Sequence, residues 1–357
     1  MNTDTASALK TELGQISVPG LSHTLASGKM LKEVSVEGQN VTVQLELPIY
    51  GYPHLETLQA EMEQAAKRVV GEAAVVKVDV SVEVRGKNTG GSIGLRVKNV
   101  IAVGSGKGGV GKSTVASSLA YGLKHLGASV GILDADVYGP SIPHMTGASG
   151  RPEVVERRNP DGSVLQRIQP VDANGMPLMS IGFMIGKDDA VIWRGPMLDK
   201  LLRQFLKDTD WGELDYLVID MPPGTGDVAL TLSQLLGLAG AVVVCTPQQV
   251  ALLDAVKAVT MYGKVNIPVL GMIENMTGEI FGRGGAKQAA EELNLPFLGE
   301  LPINATVREH GDNGQIAALY EQPSETREAL IGIAQQVSLH VAEQAMQSKG
   351  MPELEIL

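Results

Sequence analysis

A glycine-rich segment, GSGKGGVGKST, starts at Gly104 and constrains the fold more than any other stretch of this chain. It follows the near-continuous apolar run VKNVIAVGS, which is typical of a strand buried on both faces. It leads into KSTVASSLAYGLKHL, which we interpret as a helix. A glycine-rich turn at this junction points several backbone N–H groups inward, beside the positive end of the helix dipole. The pattern predicts a phosphate-binding loop; the alternative is a turn that binds nothing.

Two lysines lie in this loop. Lys112 matches the position that reaches the β and γ phosphates of a nucleotide, and the hydroxyl of Ser113 is placed for Mg²⁺. Lys107, near the start of the loop, is not needed for one nucleotide. The loop residues that we expect to bind the nucleotide are Gly106, Lys107, Gly108, Gly109, Val110, Gly111, Lys112, Ser113 and Thr114.

Carboxylates follow two further apolar runs. LDYLVIDM carries Asp220, from which a carboxylate can hold Mg²⁺, and Gly224 in the next segment offers a backbone N–H to the γ-phosphate. GILDAD carries Asp134 and Asp136, which either orient the attacking water and reach the metal ion or cap the following turn. Ligands of parallel sheets bind at the carboxyl ends of the strands. We therefore expect the acidic residues to meet the phosphate loop.

Apolar runs alternate with helix-like stretches through most of the chain after Val97. This alternation predicts an α/β fold with a mostly parallel, doubly wound sheet. Residues 151–186 are an exception, because EVVERRNPDGSVLQRIQPV predicts a hairpin that decorates one edge. The segment from Ser324 to about Gln347 predicts a long closing helix.

The beginning of the chain has a different pattern. KEVSVEGQNVTVQLELPI predicts a hairpin, HLETLQAEMEQAAKRVV has helical spacing, and AVVKVDVSVEV predicts another strand. RGKNTGGSIGLRVK is rich in glycine and lysine, has no period, and predicts a linker. We divide the chain into a small α/β domain at residues 1–85, a linker at residues 86–97 and a P-loop domain at residues 98–357.

Charge and composition exclude several classes of partner. The formal net charge of the 357 residues is −11, which argues against nucleic acid and anionic membranes. The longest apolar run, LGLAGAVVVC, is too short to span a bilayer, and the first ten residues lack the pattern of a signal peptide. One cysteine cannot form a disulfide framework. We therefore expect a cytoplasmic protein.

The loop GKGGVGKST resembles the deviant Walker A loop of the class that contains MinD, ParA and the nitrogenase iron protein. The resemblance implies that Lys107 crosses a homodimer interface to the phosphates of the partner's nucleotide, much as an arginine finger acts in trans. Dimerisation and ATP hydrolysis would then be coupled; otherwise Lys107 is a solvated surface charge. On this basis the predicted catalytic residues are Lys107, Lys112 and Asp136, and the predicted Mg²⁺ ligands are Ser113, Asp134 and Asp220.

A narrower resemblance covers about Val97 to Gly314. LDADVYGPSIPHMTG, WRGPM, DYLVIDMPPGTGD, TPQQVALLDAVKAV and GMIENM together resemble the Mrp/ApbC family of ATPases, which carry iron–sulfur clusters and deliver them to apoproteins. The N-terminal domain resembles the small domain of many Mrp proteins. The resemblance implies that Asn275 contacts the adenine base. The alternative is that Asn275 is a turn residue at a strand end. The resemblance also makes Arg194 a candidate for contact with the phosphates or with a second subunit. The alternative is that Arg194 is a surface arginine.

The chain departs from this family at the cluster ligands. The C-x-x-C that normally follows ENM is absent, and Tyr52 stands before Pro53 where the small domain usually has a cysteine. Cys245 is the one cysteine and ends an apolar run, as a buried hydrophobe does. Three functions stay open: an ATPase for cluster delivery with borrowed ligands, an ATP-gated scaffold without its own metal, and a MinD- or ParA-like positioning switch. The acidic C-terminus disfavours the third.

Overall fold

The computed structural model describes residues 2–86, 93–158, 164–184, 195–224 and 226–347. These residues divide into two compact units. One comprises the described residues of Met1–Arg85 and Ser338–Leu357, and the other those of Gly86–Val337. Residues 87–92 of the predicted linker lie outside the described ranges.

The described part of the first unit contains a three-stranded sheet. β1 (Leu31–Glu37) and β2 (Asn40–Leu47) pair antiparallel, which confirms the predicted hairpin. β3 (Val75–Val82) pairs parallel with β2, and the predicted helix α2 (Leu55–Val70) forms the crossover between them.

The core of this unit includes helices from both ends of the chain. α1 (Asn2–Gly14) was not predicted, because its apolar signal is little more than Leu9 and Leu13, which lie one turn apart and are fully buried. α10 (Glu325–Gln347) is the predicted closing helix, and it buries Leu339 and Ala342 in the same core. The sequence-based division places all of this helix in the second domain, whereas residues 338–347 group with the first unit.

The second unit is built on one large sheet flanked by helices. Its strands are β4 (Val97–Gly104), β5 (Val130–Asp134), β8 (Val171–Asp172), β9 (Pro177–Ser180), β10 (Leu214–Asp220), β11 (Gly240–Cys245), β12 (Val269–Thr277) and β13 (Phe297–Pro302). Its helices are α3 (Lys112–Leu126), α4 (Ile142–Thr146), α5 (Gly195–Asp208), α6 (Gly226–Leu235), α7 (Gln249–Lys264), α8 (Gly285–Glu292) and α9 (Ala305–Asp312).

In the described residues the strand order of this sheet is β13-β12-β11-β4-β10-β5-β9-β8. Neighbouring strands are parallel except β8, which is antiparallel to β9. The predicted doubly wound α/β fold with a mostly parallel sheet is therefore confirmed. Every residue of β10 and β11 is buried, which explains why these strands show no polar alternation. No helix within the described ranges is long and apolar enough to cross a membrane.

The segment at residues 151–186 contributes two different structures. β6 (Glu153–Arg158) and β7 (Val164–Gln169) pair antiparallel, as predicted, and their turn at residues 159–163 lies outside the described ranges. In the described chain they form a separate two-stranded sheet. The rest of the segment extends the large sheet, because β9 pairs parallel with β5. The four residues of β9 are too few to stand out as an apolar run in the sequence.

Candidate nucleotide-binding site

The phosphate loop and the two acidic segments lie at the carboxyl edge of three neighbouring strands. β10 lies between β4 and β5, so that Asp220 is in register with Val103 of one neighbour and Asp134 of the other. The loop follows β4 directly and leads into α3. The strand order thus brings together segments that are far apart in the chain.

The shape of the loop depends on its glycines. Gly109 and Gly111 have φ angles of +80° and +79°, in the left-handed region that favours glycine. A Cβ atom on Gly111 would overlap the side-chain amide of Asn275, and one on Gly106 would overlap the backbone carbonyl of Asp254. The loop is therefore packed tightly between the end of β12 and helix α7, and larger residues at Gly106 or Gly111 would displace it.

Lys112 lies at the centre of a buried polar cluster. Its Nζ is 2.5 Å from Oδ1 of Asp220 and 3.4 Å from Oδ2 of Asp136. It also donates to Oγ of Ser113 at 3.2 Å, and this hydroxyl donates to Oδ2 of Asp220 at 2.6 Å. Burial raises the pKa of Asp220, and the charge of Lys112 opposes this shift. The cluster joins one cation to two carboxylates at the start of α3.

The carboxylate of Asp134 accepts hydrogen bonds from backbone amides and a serine hydroxyl. Its Oδ1 accepts the backbone N–H of Asp136 at 3.1 Å, and its Oδ2 accepts the N–H of Ile142 at 3.3 Å and the hydroxyl of Ser180 at 2.9 Å. Burial is the main cause that raises the pKa of Asp134, and the charge of Asp220 raises it further. Both oxygens of Asp134 are thus engaged in holding the loop between β5 and α4.

The carboxylate of Asp136 has a different orientation. Its Oδ1 accepts the N–H of Tyr138 at 3.3 Å, which is the turn-capping contact that the sequence left open. Its Oδ2 faces Lys112. Asp136 therefore presents one oxygen atom to the phosphate site, whereas Asp134 binds the backbone of the loop that carries Asp136.

Asn275 is attached to the phosphate loop by its side chain. Its Nδ2 donates to the backbone carbonyl of Val110 at 2.9 Å. The preceding Glu274 is fully buried, and its two carboxylate oxygens accept the N–H groups of Gly284 and Ala286 at the start of α8. One of the two N–H donors of the Asn275 amide is thus engaged with the loop, and among the described residues its acceptor Oδ1 has no hydrogen-bonding partner.

The backbones of Lys107 and Gly224 are both hydrogen-bonded to Ser105. Ser105 Oγ donates to the backbone carbonyl of Lys107 at 2.9 Å, and the N–H of Gly224 donates to the carbonyl of Ser105 at 3.1 Å. The Lys107 side chain is half-buried, and among the described residues its Nζ has no hydrogen-bonding or ion-pairing partner. In this structure the amide of Gly224 therefore contacts the loop, and the charge of Lys107 is not neutralised by a described residue.

A cleft of about 640 Å³ extends from the phosphate loop toward α9 and α10. Sequence analysis did not predict its far wall, because the wall residues at the end of β13, around α9 and in α10 match no sequence motif. That wall includes Leu301, Pro302, Ile303, Asn304, Val307, Arg308 and Leu330, and the near wall includes Lys107, Lys112, Asp136, Asn275 and Met276. A cleft of this size, with a polar floor and apolar walls, is typical of a small-molecule site.

The oxygen atoms of the polar cluster match the ligand preference of Mg²⁺. Ser113 and Asp220 together offer a hydroxyl and a carboxylate, and Mg²⁺ commonly uses one or two such groups with phosphate oxygens and waters. Asp134 has both carboxylate oxygens in hydrogen bonds and fits a supporting role better than direct coordination. Within the described residues no group of three or more His, Cys, Asp and Glu is placed to hold a metal ion.

Of three further residues that the sequence analysis considered, Cys245 and Tyr52 lie outside the cleft lining. Arg194 is outside the described ranges. Cys245 is buried at the end of β11, and burial raises the pKa of its thiol to about 12. Tyr52 donates to the carbonyl of Pro19 at 2.6 Å inside the first unit, and burial raises its pKa. Neither Cys245 nor Tyr52 contributes to the cleft.

Two family models match the chain. One, described as NUBPL iron-transfer P-loop NTPase, covers residues 96–338. The other, described as iron–sulfur cluster assembly protein, covers residues 7–80. Together these matches cover both the P-loop region and the small N-terminal region.

Two similar proteins are named as iron–sulfur cluster carriers, and a similar solved structure is that of a nucleotide-binding protein. An iron–sulfur cluster carrier protein of Synechocystis is 42% identical over 96% of this chain and 99% of its own length. An iron–sulfur cluster carrier protein of Escherichia coli is 42% identical over 86% of this chain and 84% of its own. Among solved structures, a nucleotide-binding protein of Archaeoglobus fulgidus in complex with ADP is 37% identical, with a TM-score of 0.53 over 64% of this chain and 90% of that one.

Proposed function

This chain belongs to the family of NUBPL iron-transfer P-loop NTPases, and from this premise we propose that it binds and hydrolyses ATP as a homodimer in iron–sulfur cluster delivery. The observation that carries the proposal is the buried cluster of Lys112, Ser113, Asp136 and Asp220 at the start of α3. A buried lysine beside two carboxylates and a hydroxyl is the arrangement needed for a magnesium–phosphate ligand.

The phosphates bind along the loop. Backbone N–H groups from Gly106 to Thr114 and the N-terminus of α3 stabilise the negative charge. Lys112 exchanges its contacts with Asp220 and Asp136 for the β and γ phosphates, which keeps its charge paired inside the site. Ser113 and Asp220 hold Mg²⁺, which when bound neutralises charge on the phosphate oxygens.

Asp136 orients the attacking water. Its Oδ2 faces the phosphate site, so it accepts a hydrogen bond from a water molecule in line with the γ-phosphorus. The water oxygen forms a bond to phosphorus while the bond from phosphorus to the bridging oxygen breaks, the electron pair of that bond leaves on ADP, and one proton of the water passes by way of the Asp136 carboxylate to the released phosphate. Lys112 stabilises the charge that develops on the transferred group.

Asn275 selects the base. Asn275 lines the cleft and one of its amide N–H groups donates to Val110, so we assign its Oδ1 as the acceptor for the base. Adenine offers an exocyclic amino group that can donate to this oxygen, whereas guanine presents a carbonyl oxygen at the same place. The orientation of the amide therefore supports ATP, rather than GTP, as the nucleotide.

A second copy of the chain completes the phosphate site. Lys107 carries a charge that no described residue neutralises, and it lies in the loop at the border of the cleft. Apolar side chains are exposed near the N-termini of the neighbouring helices α6 and α7: Leu230 on α6, and Val250 and Leu253 on α7 with 66% and 65% of their surface exposed. An exposed apolar surface beside an unpaired cation supports face-to-face closure of two subunits, with Lys107 of each subunit reaching the nucleotide of the other.

The iron–sulfur cluster is the cargo, and its thiol ligands come from a protein other than this chain. A [4Fe–4S] cluster is generally held by four cysteine thiolates, and a dimer of this chain offers two cysteines. Cys245 is buried, and its raised pKa keeps it protonated at neutral pH. We propose that an apo iron–sulfur protein or an assembly factor supplies the ligands. The same burial favours, as a second candidate, an ATP-gated scaffold that holds no metal itself.

Phosphate release from MgATP tests the enzymatic part of this proposal. Lys112→Ala is expected to abolish hydrolysis and weaken nucleotide binding, because it removes the main cation of the site. Lys124→Ala is the matched control, since Lys124 lies near the other end of α3 and contacts the carbonyl of Asn174 instead. Hydrolysis that persists in Lys112→Ala, or that is absent from the wild-type protein, would contradict the ATPase assignment.

Cluster delivery needs a separate test. The protein is incubated anaerobically with a cluster-loaded, thiol-bearing donor and an apo-acceptor, with and without ATP, and the acceptor's visible absorption is followed. Faster transfer with ATP supports delivery. Transfer at the same rate with and without the protein would favour the scaffold.

A further inference from the structure

Ser180, the last residue of β9, lies behind the phosphate site in a position that no sequence motif indicates. It is fully buried. Its Oγ donates to Oδ2 of Asp134 at 2.9 Å and accepts the N–H of Gly182 at 3.0 Å. Because the Gly182 amide can only donate, the single hydroxyl proton of Ser180 is directed at the carboxylate of Asp134.

Asp134 in turn holds both ends of the loop that carries Asp136. Its Oδ1 binds the backbone N–H of Asp136, and its Oδ2 binds the N–H of Ile142, where α4 begins. The Asp136 side chain starts from the backbone that Asp134 holds, and its Oδ2 lies 3.4 Å from Lys112. A shift of the Asp134 carboxylate would therefore move the Asp136 carboxylate relative to the phosphates.

Burial makes the contact between Ser180 and Asp134 necessary. Asp134 is 1% exposed, and a buried carboxylate needs hydrogen-bond donors to replace water. Within the described chain, its hydrogen bonds come from two backbone amides and from the Ser180 hydroxyl. Loss of that hydroxyl leaves Oδ2 with the 3.3 Å contact to Ile142 and leaves the Gly182 amide without its acceptor.

We propose that Ser180 is a positioning residue for ATP hydrolysis, which acts through Asp134 to fix the carboxylate of Asp136 and links strand β9, which lies between β5 and the edge strand β8, to the catalytic loop. The inference rests on the proposed ATPase activity. Within the described residues the Ser180 hydroxyl bonds to Asp134 and Gly182 and to neither the phosphate loop nor Lys112, so its removal should slow hydrolysis without weakening nucleotide binding.

The chain provides a control pair at the amino end of β5 and β10, where the serine is exposed and the aspartate is buried. Ser129, just before β5, donates from Oγ and from its backbone N–H to Oδ2 of Asp215 at 2.9 and 3.0 Å. This pair also joins a serine hydroxyl to a buried aspartate, but it lies at the amino edge of the sheet, away from the phosphate loop. Ser129→Ala removes a similar hydrogen bond and should leave hydrolysis unchanged.

The test compares Ser180→Ala, Ser180→Thr and Ser129→Ala in the full-length protein. We expect Ser180→Ala to lower kcat about tenfold, the effect on a barrier of one lost hydrogen bond to a charged group, with the Kd for ATP changed less than twofold. Ser180→Thr keeps the hydroxyl and should recover most of kcat. An unchanged kcat in Ser180→Ala, or an equal fall in Ser129→Ala, would overturn the proposal.

Amide hydrogen exchange provides a readout that does not depend on hydrolysis. Peptides that cover residues 135–142 should exchange faster in Ser180→Ala than in the wild type, and should be unaffected in Ser129→Ala. Absence of hydrolysis in the wild type would refute the ATPase assignment, and the exchange data would then decide the role of Ser180 alone. Equal protection of this loop in Ser180→Ala and wild type would overturn the link to the loop.

Discussion

Replacing Asn275 with alanine separates base recognition from phosphate binding. One N–H of Nδ2 donates to the Val110 carbonyl, and the substitution also removes Oδ1, the acceptor that the proposal assigns to the base. A net hydrogen bond contributes about 1 kcal/mol, and two acceptors that face each other lose a further ~1 kcal/mol with GTP. We therefore expect ATP to bind about fivefold more weakly and GTP somewhat more tightly, so that the ATP preference falls about tenfold or more.

The same substitution also affects stability. Val110 loses the donor to its carbonyl, and an unpaired buried acceptor costs about 1–3 kcal/mol. In a domain of this size that corresponds to a decrease in Tm of a few degrees. The ratio of the two nucleotide affinities is insensitive to this loss, because both nucleotides bind the same folded population.

Asn304→Ala is the matched control for selectivity. Asn304 also lines the cleft, but its Nδ2 donates to Thr326 Oγ1 at 2.9 Å and its Oδ1 accepts the N–H of Thr306 at 2.7 Å. Both ends of its amide are thus used within the protein. Competition against a fluorescent ATP analogue measures the Kd values of ATP and GTP for each variant. An unchanged ratio in Asn275→Ala, or an equal change in Asn304→Ala, would refute this role of the amide orientation.

Two substitutions and one reconstitution experiment test the remaining parts of the proposal. Lys107→Ala should still bind ATP but lose ATP-dependent dimerisation and hydrolysis together, as measured by light scattering with a non-hydrolysable analogue; dimerisation at the wild-type level would contradict the trans role. Asp136→Asn should retain ATP binding and lower kcat by 10²-fold or more, because it removes the charge that orients water; a change in Kd alone would argue against this. Anaerobic reconstitution with iron and sulfide, followed by desalting, should leave little bound cluster, and stoichiometric cluster that survives Cys245→Ser would show ligands other than this thiol.

The sequence alone predicts features that depend on residues close together in the chain. The phosphate loop is continuous in the chain, and its glycines, its lysine and the start of α3 are within eleven residues. Buried parallel strands have no polar alternation, so apolar runs predicted the strands of the large sheet other than β8 and β9, and its fold class. The N-terminal hairpin was visible for a similar reason, since its alternation reflects one buried face.

Long-range contacts were accessible only through the tertiary structure. Asn275 contacts Val110 across 165 positions, and Lys112 contacts Asp220 across 108. Sequence analysis placed these residues at one site by the rule that ligands bind at strand ends, but it did not predict which atoms face each other. The different orientations of Asp134 and Asp136 illustrate this limit, because two aspartates in one motif are alike in sequence.

Tertiary packing also decided features that leave almost no sequence signal. β9 has four residues, and its place beside β5 depends on an open edge of the sheet rather than on its own pattern. α10 is one continuous helix in the sequence, yet residues 338–347 group with the first unit because Leu339 and Ala342 are buried in its core. Periodicity reports that a side chain is buried, whereas the partner that buries it depends on the whole chain.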